Sequence, residues 1–210
     1  DDLGSRGLGD VYKRQDVCYA LEGSIFMAGA NFQWLRDKMN FFEDVEESEE
    51  LAKKADPNAN VFLIPAFVGL GAPHWIPDAR GAIFGLTRDA GKEELSLATH
   101  EAIAFQTKEI ISSLENDGVK VDSVRIDGGL TSNAFFNQIL SNVIEREVLC
   151  SKTVESTALG AAYLAGIGSG EVSLKDISKN WSPKSEYNPD SSYDLGRYDI
   201  WKEFLGRLIS

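Results

Sequence analysis

The segment with the clearest chemical potential is Arg125–Asn133 (RIDGGLTSN), in which a β-rich run ends in an acid and two glycines. Gly128 and Gly129 let the backbone approach a ligand closely, because neither carries a Cβ that would occupy the space. A helix that begins a few residues later would present free N–H groups and a partial positive charge. Asn133 can both donate and accept hydrogen bonds, which suits the edge of an adenine or a ribose. Two glycines after a strand form a tight turn more often than a nucleotide site, so the pattern needs support from other segments.

A second candidate is Gly23–Trp34 (GSIFMAGANFQW), which contains Gly29 and Gln33. Four residues apart, these two would share one face of a predicted helix. A glycine followed one turn later by an amide makes a flat surface with one polar contact, although ordinary helix packing uses the same spacing. The loop Pro65–Gly81 (PAFVGLGAPHWIPDARG) is a third candidate, because long ordered loops are often functional.

The elements that would position these residues alternate between short strands and helices. Strands are predicted at Val61–Ile64 and Ser123–Ile126, and the segment Ser182–Tyr193 is predicted to be a loop. Apolar periodicity predicts helices at Ile25–Arg36, Leu95–Leu114, Phe135–Ile144, Ala158–Ile167 and Ile200–Ile209. Thr131 or Ser132 is predicted to cap the third of these helices. This alternation indicates an α/β layered domain.

Composition excludes several classes of function. The 210 residues carry a formal net charge of -12, which argues against nucleic acid as a partner. No apolar run approaches the ~20 residues that a membrane-spanning helix needs. Cys18 and Cys150 form no CxxC or Cys/His cluster, so no metal or redox motif is present, and a cytoplasmic enzyme is expected. The acidic run Glu43–Glu50 is typical of a solvated surface and receives no function.

Residues 1–15 (DDLGSRGLGDVYKRQ) differ in character from the rest of the chain. Asp10–Gln15 (DVYKRQ) resembles the translation of a transposon end used in preparing sequencing libraries. We therefore interpret residues 1–15 as a sequencing-adapter artefact and leave them out of the fold prediction.

Together the segments resemble the C-terminal domain of the FGGY carbohydrate kinases, and among these the kinases that act on glycerol. The resemblance covers roughly residues 17 to 205, and four long segments in the same order make it specific. The matching segments are Tyr19–Arg36, Pro65–Arg88, Arg125–Asn133 and Thr157–Gly166. One position departs from the family pattern, because His100 stands where an aliphatic residue usually precedes the acid Glu101. Neither His100 nor His74 has a visible catalytic partner, so both are predicted to be structural.

The resemblance implies an actin-like ATPase (ribonuclease H-like) fold, with a central mixed sheet flanked by helices. In the family the active site lies in a cleft between two domains, and the C-terminal domain contributes the adenine and ribose side of the nucleotide pocket. The positions that match the family's nucleotide contacts are Gly29, Gln33, Gly129 and Asn133. No metal ligand is assigned to this chain.

The resemblance also implies the cofactors and partners, namely ATP or ADP with Mg²⁺, and glycerol as the acceptor of the phosphoryl group. The family's catalytic aspartate, phosphate-binding hairpin and glycerol contacts would lie upstream of Tyr19. Residues 16–210 are therefore predicted to be the nucleotide-binding C-terminal domain, without the N-terminal substrate domain. On its own the chain is expected to be inactive and to bind nucleotide weakly at best. A homo-oligomer is a further expectation, since oligomers are common in the family.

Three alternatives stay open at this point. One is another FGGY sugar kinase, acting on a pentulose or a similar polyol. Another is a non-catalytic actin-like module that binds nucleotide and uses the fold for assembly. The third is a structural domain whose glycines serve only in turns.

Overall fold

A computed structural model describes residues 21–153 and 155–210. These residues group into two compact units, residues 23–153 with 183–210, and residues 21–22 with 155–182. The elements in chain order are α1 (Gly29–Asp37), α2 (Glu47–Ala52), β1 (Phe62–Ile64), β2 (Ala82–Phe84), α3 (Lys92–Asn116), β3 (Ser123–Ile126), a 3₁₀ turn (Gly129–Ser132), α4 (Ala134–Ile144), β4 (Glu147–Ser151), α5 (Ser156–Ser169), α6 (Leu174–Asn180), β5 (Pro183–Tyr187) and α7 (Gly196–Ile209). The predicted adapter segment, residues 1–15, lies outside the described residues.

The larger unit contains two sheets. Strands β1 and β2 pair antiparallel, with Phe62 opposite Phe84. Strands β3, β4 and β5 form a mixed sheet, in which β3 and β4 are parallel and β4 and β5 are antiparallel. Helix α4 makes the crossover between the parallel strands, as such a connection requires. The predicted mixed sheet with helices is confirmed in this unit.

Helix α3 lies at the centre of the core of the larger unit. Its buried face includes Ala102, Ile103 and Phe105, none of them more than 4% exposed. Helix α4 packs against the same core, and its buried Phe136 and Leu140 lie one helical turn apart, as the predicted apolar rows require. Trp201 of α7 closes the core and donates from Nε1 to the carbonyl oxygen of Leu63 at 2.9 Å.

Several local predictions need correction. Helix α7 begins at Gly196, four residues earlier than predicted from Ile200. The segment predicted as a loop, Ser182–Tyr193, contains strand β5, because its backbone pairs with the edge of β4 although its composition is typical of a loop. The N-cap of α4 is Asn133, and neither Thr131 nor Ser132 fills that position, because both belong to the 3₁₀ turn before it. Helix α1 begins at Gly29, four residues later than predicted from Ile25.

The smaller unit contains α5 and α6. Helix α5 ends at Gly170, which adopts the left-handed conformation with φ of 81° that favours glycine at a helix end. Helix α6 begins with a capping box, in which Ser173 Oγ accepts from the backbone N–H of Asp176 at 3.2 Å. Within the described ranges of both units, no helix has the length and apolarity needed to cross a membrane.

Candidate functional site

A cavity of about 670 Å³ opens in the larger unit, where the start of α1, the segment around α2 and the turn between β3 and α4 meet. Its wall is formed by Ala28, Gly29, Gln33, Val45, Glu46, Glu49, Asp127, Gly129, Leu130, Ser132 and Asn133. All four residues that the sequence proposed for nucleotide binding are among them. The structure thus brings together two segments that are about 100 residues apart in the chain. That these residues bind a nucleotide stays a prediction.

The two glycines of the wall leave open space. A Cβ placed on Gly29 or on Gly129 would meet no described atom within 4 Å. Gly85 differs, because a Cβ there would collide with the carbonyl oxygen of Asn60. The packing of the described residues therefore requires a glycine at position 85 but at neither of the two cavity positions. Because Gly29 and Gly129 carry no side chain, the cavity wall has open space at both positions.

Gly128 has a different role from its neighbour Gly129. It adopts φ of 93° and ψ of -178°, a region that is essentially restricted to glycine. Its backbone N–H donates to Oδ1 of Asp127 at 2.7 Å, and it does not line the cavity. Gly128 thus forms the turn that carries Gly129 to the cavity wall, whereas the sequence suggested that both glycines meet a ligand.

Asn133 is half-buried, and much of its hydrogen-bonding capacity is used within the protein. Its Oδ1 accepts from the backbone N–H of Phe136 at 2.7 Å, which caps α4. Its Nδ2 lies 3.1 Å from Nε2 of His100. The amide nitrogen carries two hydrogens, so one of them remains available to a ligand. Asn133 can therefore present a donor to the cavity, but its oxygen is already engaged by the helix end.

Gln33 lies on the exposed side of α1, one turn after Gly29. Its side chain lines the cavity. The amide has an oxygen that can accept and a nitrogen that can donate hydrogen bonds to a ligand in the cavity. The predicted pairing of an open glycine with an amide one turn later is present on this helix.

The sequence did not predict that the cavity would be lined by acidic residues. Glu46, Glu49 and Asp127 line the wall, and among the described residues no lysine or arginine does. Glu49 pairs with Lys53, the residue that follows α2, at 2.7 Å. Glu46 and Asp127 are more exposed than Glu49. The run Glu43–Glu50 had been interpreted as a solvated surface only, because a run of charges does not reveal which of its members face a distant segment. A cavity with this lining favours hydroxyl and amino groups over phosphates.

No group of three or more His, Cys, Asp and Glu side chains in the described part of the chain is arranged to hold a metal ion. The cavity itself supplies a hydrophobic wall, three carboxylates and two side-chain amides. This set can bind the flat, partly polar body of a nucleoside. The described lining residues include no cationic side chain that could stabilise phosphate charge.

Comparison with known proteins shows which family the chain belongs to. The family model described as "FGGY family of carbohydrate kinases, C-terminal domain" matches residues 7–169. A glycerol kinase of Alteromonas mediterranea is 45% identical over 193 residues, which is 90% of this chain and 39% of that protein. A glycerol kinase of Thermoanaerobacter sp. is 43% identical over 197 residues, covering 92% of this chain and 40% of that protein. The chain thus spans about two fifths of the length of these relatives.

Solved structures agree with the sequence relatives. The crystal structure of Plasmodium falciparum glycerol kinase with ADP has a TM-score of 0.80 at 35% identity, covering 91% of this chain and 39% of that chain. Ligand-bound xylulose kinase from Lactobacillus acidophilus has a TM-score of 0.80 at 25% identity, covering 90% of this chain and 39% of that chain. The actin-like ATPase fold expected from the sequence is therefore confirmed. The chain belongs to the FGGY family of carbohydrate kinases, and it matches the C-terminal domain of that family.

Proposed function

We propose that the cavity formed by Gly29, Gln33, Gly129 and Asn133 binds the nucleoside end of ATP or ADP. The observation that carries this proposal is the open space above the two glycines, since the packing of the described residues does not require glycine at either position. The acidic lining supports the same assignment, because ribose hydroxyls and an adenine amino group can donate to carboxylates. An ADP-bound glycerol kinase of the same fold gives further support.

We further propose that the whole protein is an ATP-dependent kinase that transfers a phosphoryl group to a hydroxyl of glycerol. Phosphoryl transfer depends mainly on positioning and on charge stabilisation. The contribution of the described residues is to hold the nucleoside, so that the phosphates extend away from the carboxylates of the wall. Mg²⁺ enters this proposal only with those phosphates, and no described residue is assigned to the ion or to the catalytic base.

Glycerol is the favoured acceptor over a pentulose. The glycerol kinase structure and the xylulose kinase structure match this chain equally well in fold, with TM-scores of 0.80. Their sequence identities differ, at 35% for the glycerol kinase and 25% for the xylulose kinase. We therefore expect the whole protein to phosphorylate glycerol in preference to D-xylulose. Comparing the two acceptors in one coupled assay would test the choice, and a preference for the pentulose would contradict it.

The nucleotide proposal is tested by titrating the 210-residue chain with Mg-ADP and following its thermal unfolding. A ligand that binds only the folded state stabilises it by about 2.7 kcal/mol at a hundredfold excess over Kd. We expect a saturable rise in Tm for the wild-type chain and none for Gly129→Val. Gly206→Val is the matched control, because Gly206 also has open space above it but lies on α7, outside the cavity. A folded wild-type chain whose Tm does not respond to Mg-ADP would contradict the proposal.

A further inference from the structure

His100 is a fully buried imidazole on α3 that packs directly behind the cavity wall. Its ring lies edge-on to Phe32, with centroids 4.6 Å apart, and edge-on to Phe135, with centroids 5.6 Å apart. Its exposed fraction is 0%. A buried polar ring in such an apolar setting requires hydrogen-bond partners for both of its nitrogens. These partners determine which ring nitrogen carries the hydrogen and which one accepts a hydrogen bond.

The first partner fixes the tautomer. Nδ1 of His100 lies 2.8 Å from the carbonyl oxygen of Ser96, one turn earlier on α3. A carbonyl oxygen can only accept, so Nδ1 must carry the hydrogen. In the neutral ring, Nε2 is then an acceptor. Burial lowers the pKa of His100 from 6.5 to about 4, so the ring is neutral at pH 7.

The second partner is Asn133. Its Nδ2 donates to Nε2 of His100 at 3.1 Å, while its Oδ1 accepts from the N–H of Phe136 at 2.7 Å. Rotating the amide by half a turn would bring its oxygen to the unprotonated Nε2 and its NH₂ group to the N–H of Phe136. Two acceptors would then face each other at His100, and two donors would face each other at Phe136, so neither hydrogen bond could form. The two neighbours therefore allow a single orientation of the amide.

We propose that His100 is a positioning residue for the nucleoside site, because it holds the Asn133 amide with its nitrogen inward and one N–H left for the cavity. The cavity then offers a donor at this point and selects a ligand atom that accepts, such as a ribose oxygen or an unprotonated ring nitrogen of a purine. This inference rests on the proposed function and deepens it, since it states which kind of atom the cavity recognises at Asn133. His100 itself does not line the cavity and acts through Asn133.

The experiment compares His100→Leu with His100→Gln in the full 210-residue chain. Leucine keeps an apolar side chain of moderate size but removes the acceptor, whereas the glutamine oxygen can accept from Asn133. His74→Leu is the control, because His74 pairs with Glu109 at 3.1 Å and does not line the cavity. We expect His100→Leu to weaken Mg-ADP binding about three- to tenfold in calorimetric titration. We expect His100→Gln to restore most of the affinity and His74→Leu to leave it unchanged.

A spectroscopic measurement on the unliganded wild-type chain keeps the inference testable if His100→Leu does not fold. Nitrogen-15 spectra of the imidazole distinguish the protonated from the unprotonated nitrogen, and we expect the proton on Nδ1 at pH 7. A proton on Nε2 would overturn the inference, as would wild-type affinity in a folded His100→Leu chain. If the wild-type chain itself does not bind Mg-ADP, the proposed function fails and this inference fails with it. Wild-type binding that is insensitive to position 100 overturns this inference alone.

Discussion

Arg197 of α7 and Glu101 of α3 form a two-point ion pair in the interior of the larger unit. Nε and one terminal nitrogen of the guanidinium each lie 2.7 Å from a different carboxylate oxygen of Glu101. Tyr193 donates its hydroxyl to the same carboxylate at 2.9 Å, and Arg197 also donates to the carbonyl oxygen of Ala59 at 2.9 Å. The carboxylate, the guanidinium and the tyrosine hydroxyl of this cluster are thus all hydrogen-bonded. Glu101 is 1% exposed, so its charge depends on Arg197 for compensation.

The ion pair predicts a large loss of stability when one partner is removed. Arg197→Met leaves the Glu101 carboxylate buried without its cation, and we expect the free energy of unfolding to fall by about 3–5 kcal/mol. Arg207→Met on the same helix is the matched control, because Arg207 is exposed and its nearest carboxylate is 4.0 Å away. We expect the control to change stability by about 0.5 kcal/mol or less. Urea denaturation of both variants provides the measurement, and equal effects would refute the assigned role.

Because the His100 ring is fully buried, we expect the stability of the chain to depend on pH. Its pKa is lowered to about 4 in the folded state, against 6.5 for an exposed histidine, because burial disfavours the charged ring. Between these values the unfolded chain binds more protons, so this contribution to stability is fully present above pH 6.5 and is lost as the pH falls. The loss amounts to about 3 kcal/mol between pH 7 and pH 4.

Comparing wild type with His100→Leu isolates this contribution from that of the carboxylates. We expect the free energy of unfolding of the wild-type chain to fall more steeply than that of His100→Leu over this interval. Denaturant unfolding at several pH values measures both curves. Parallel curves would mean that burial of the neutral His100 ring does not contribute to the pH dependence of stability.

Gly128 and Gly129 are adjacent but should respond in opposite ways to alanine. Gly128→Ala forces a side chain into a backbone conformation with φ of 93°, and we expect a loss of about 1–3 kcal/mol in the free energy of unfolding. Gly129→Ala places its Cβ into the open space of the cavity, so stability should hold while nucleotide affinity falls. Denaturation and Mg-ADP titration of the two variants separate the effects. A destabilised Gly129→Ala with normal affinity would show that Gly129 serves the turn and not the ligand.

The acidic lining predicts that affinity resides mainly in the nucleoside. In the described part of the chain, three carboxylates and no cationic side chain line the cavity, so the phosphates gain little from it. We expect adenosine to compete with ADP at a Kd within about tenfold of that of ADP, a difference of about 1.4 kcal/mol. Pyrophosphate should not compete. Competition calorimetry checks both expectations, and displacement of ADP by pyrophosphate alone would place the binding energy on the phosphates instead.

The sequence predicted those parts of the fold that depend on local patterns. Strand β3 was predicted at its observed bounds, Ser123–Ile126, because β-branched residues end there at Asp127 and two glycines. Helix α4 was predicted to within one residue of its start at Ala134, because apolar residues recur on one face. Strand β5 was missed, since its strand conformation depends on pairing with β4 and not on its own composition.

The candidate site was predictable only in part, for the same physical reason. The four residues proposed from the sequence do meet at one cavity, because the resemblance carried information about a three-dimensional arrangement. Glu46 and Glu49 were not identified, because their proximity to Asp127 depends on how α2 packs in the larger unit. His100 was predicted to be structural, and its contact with Asn133 connects that structural position to the site.

The central claim is that a nucleoside binds at this cavity, and chemical-shift mapping tests it most directly. Nitrogen-15 spectra of the chain would be recorded during titration with Mg-ADP. We expect saturable shifts of the backbone amides of Gly29 and Gly129 and of the side-chain amides of Gln33 and Asn133. The amide of Gly206, on α7 and outside the cavity, should not move. Saturable shifts that avoid these four residues, or no shifts from a folded chain, would contradict the assignment.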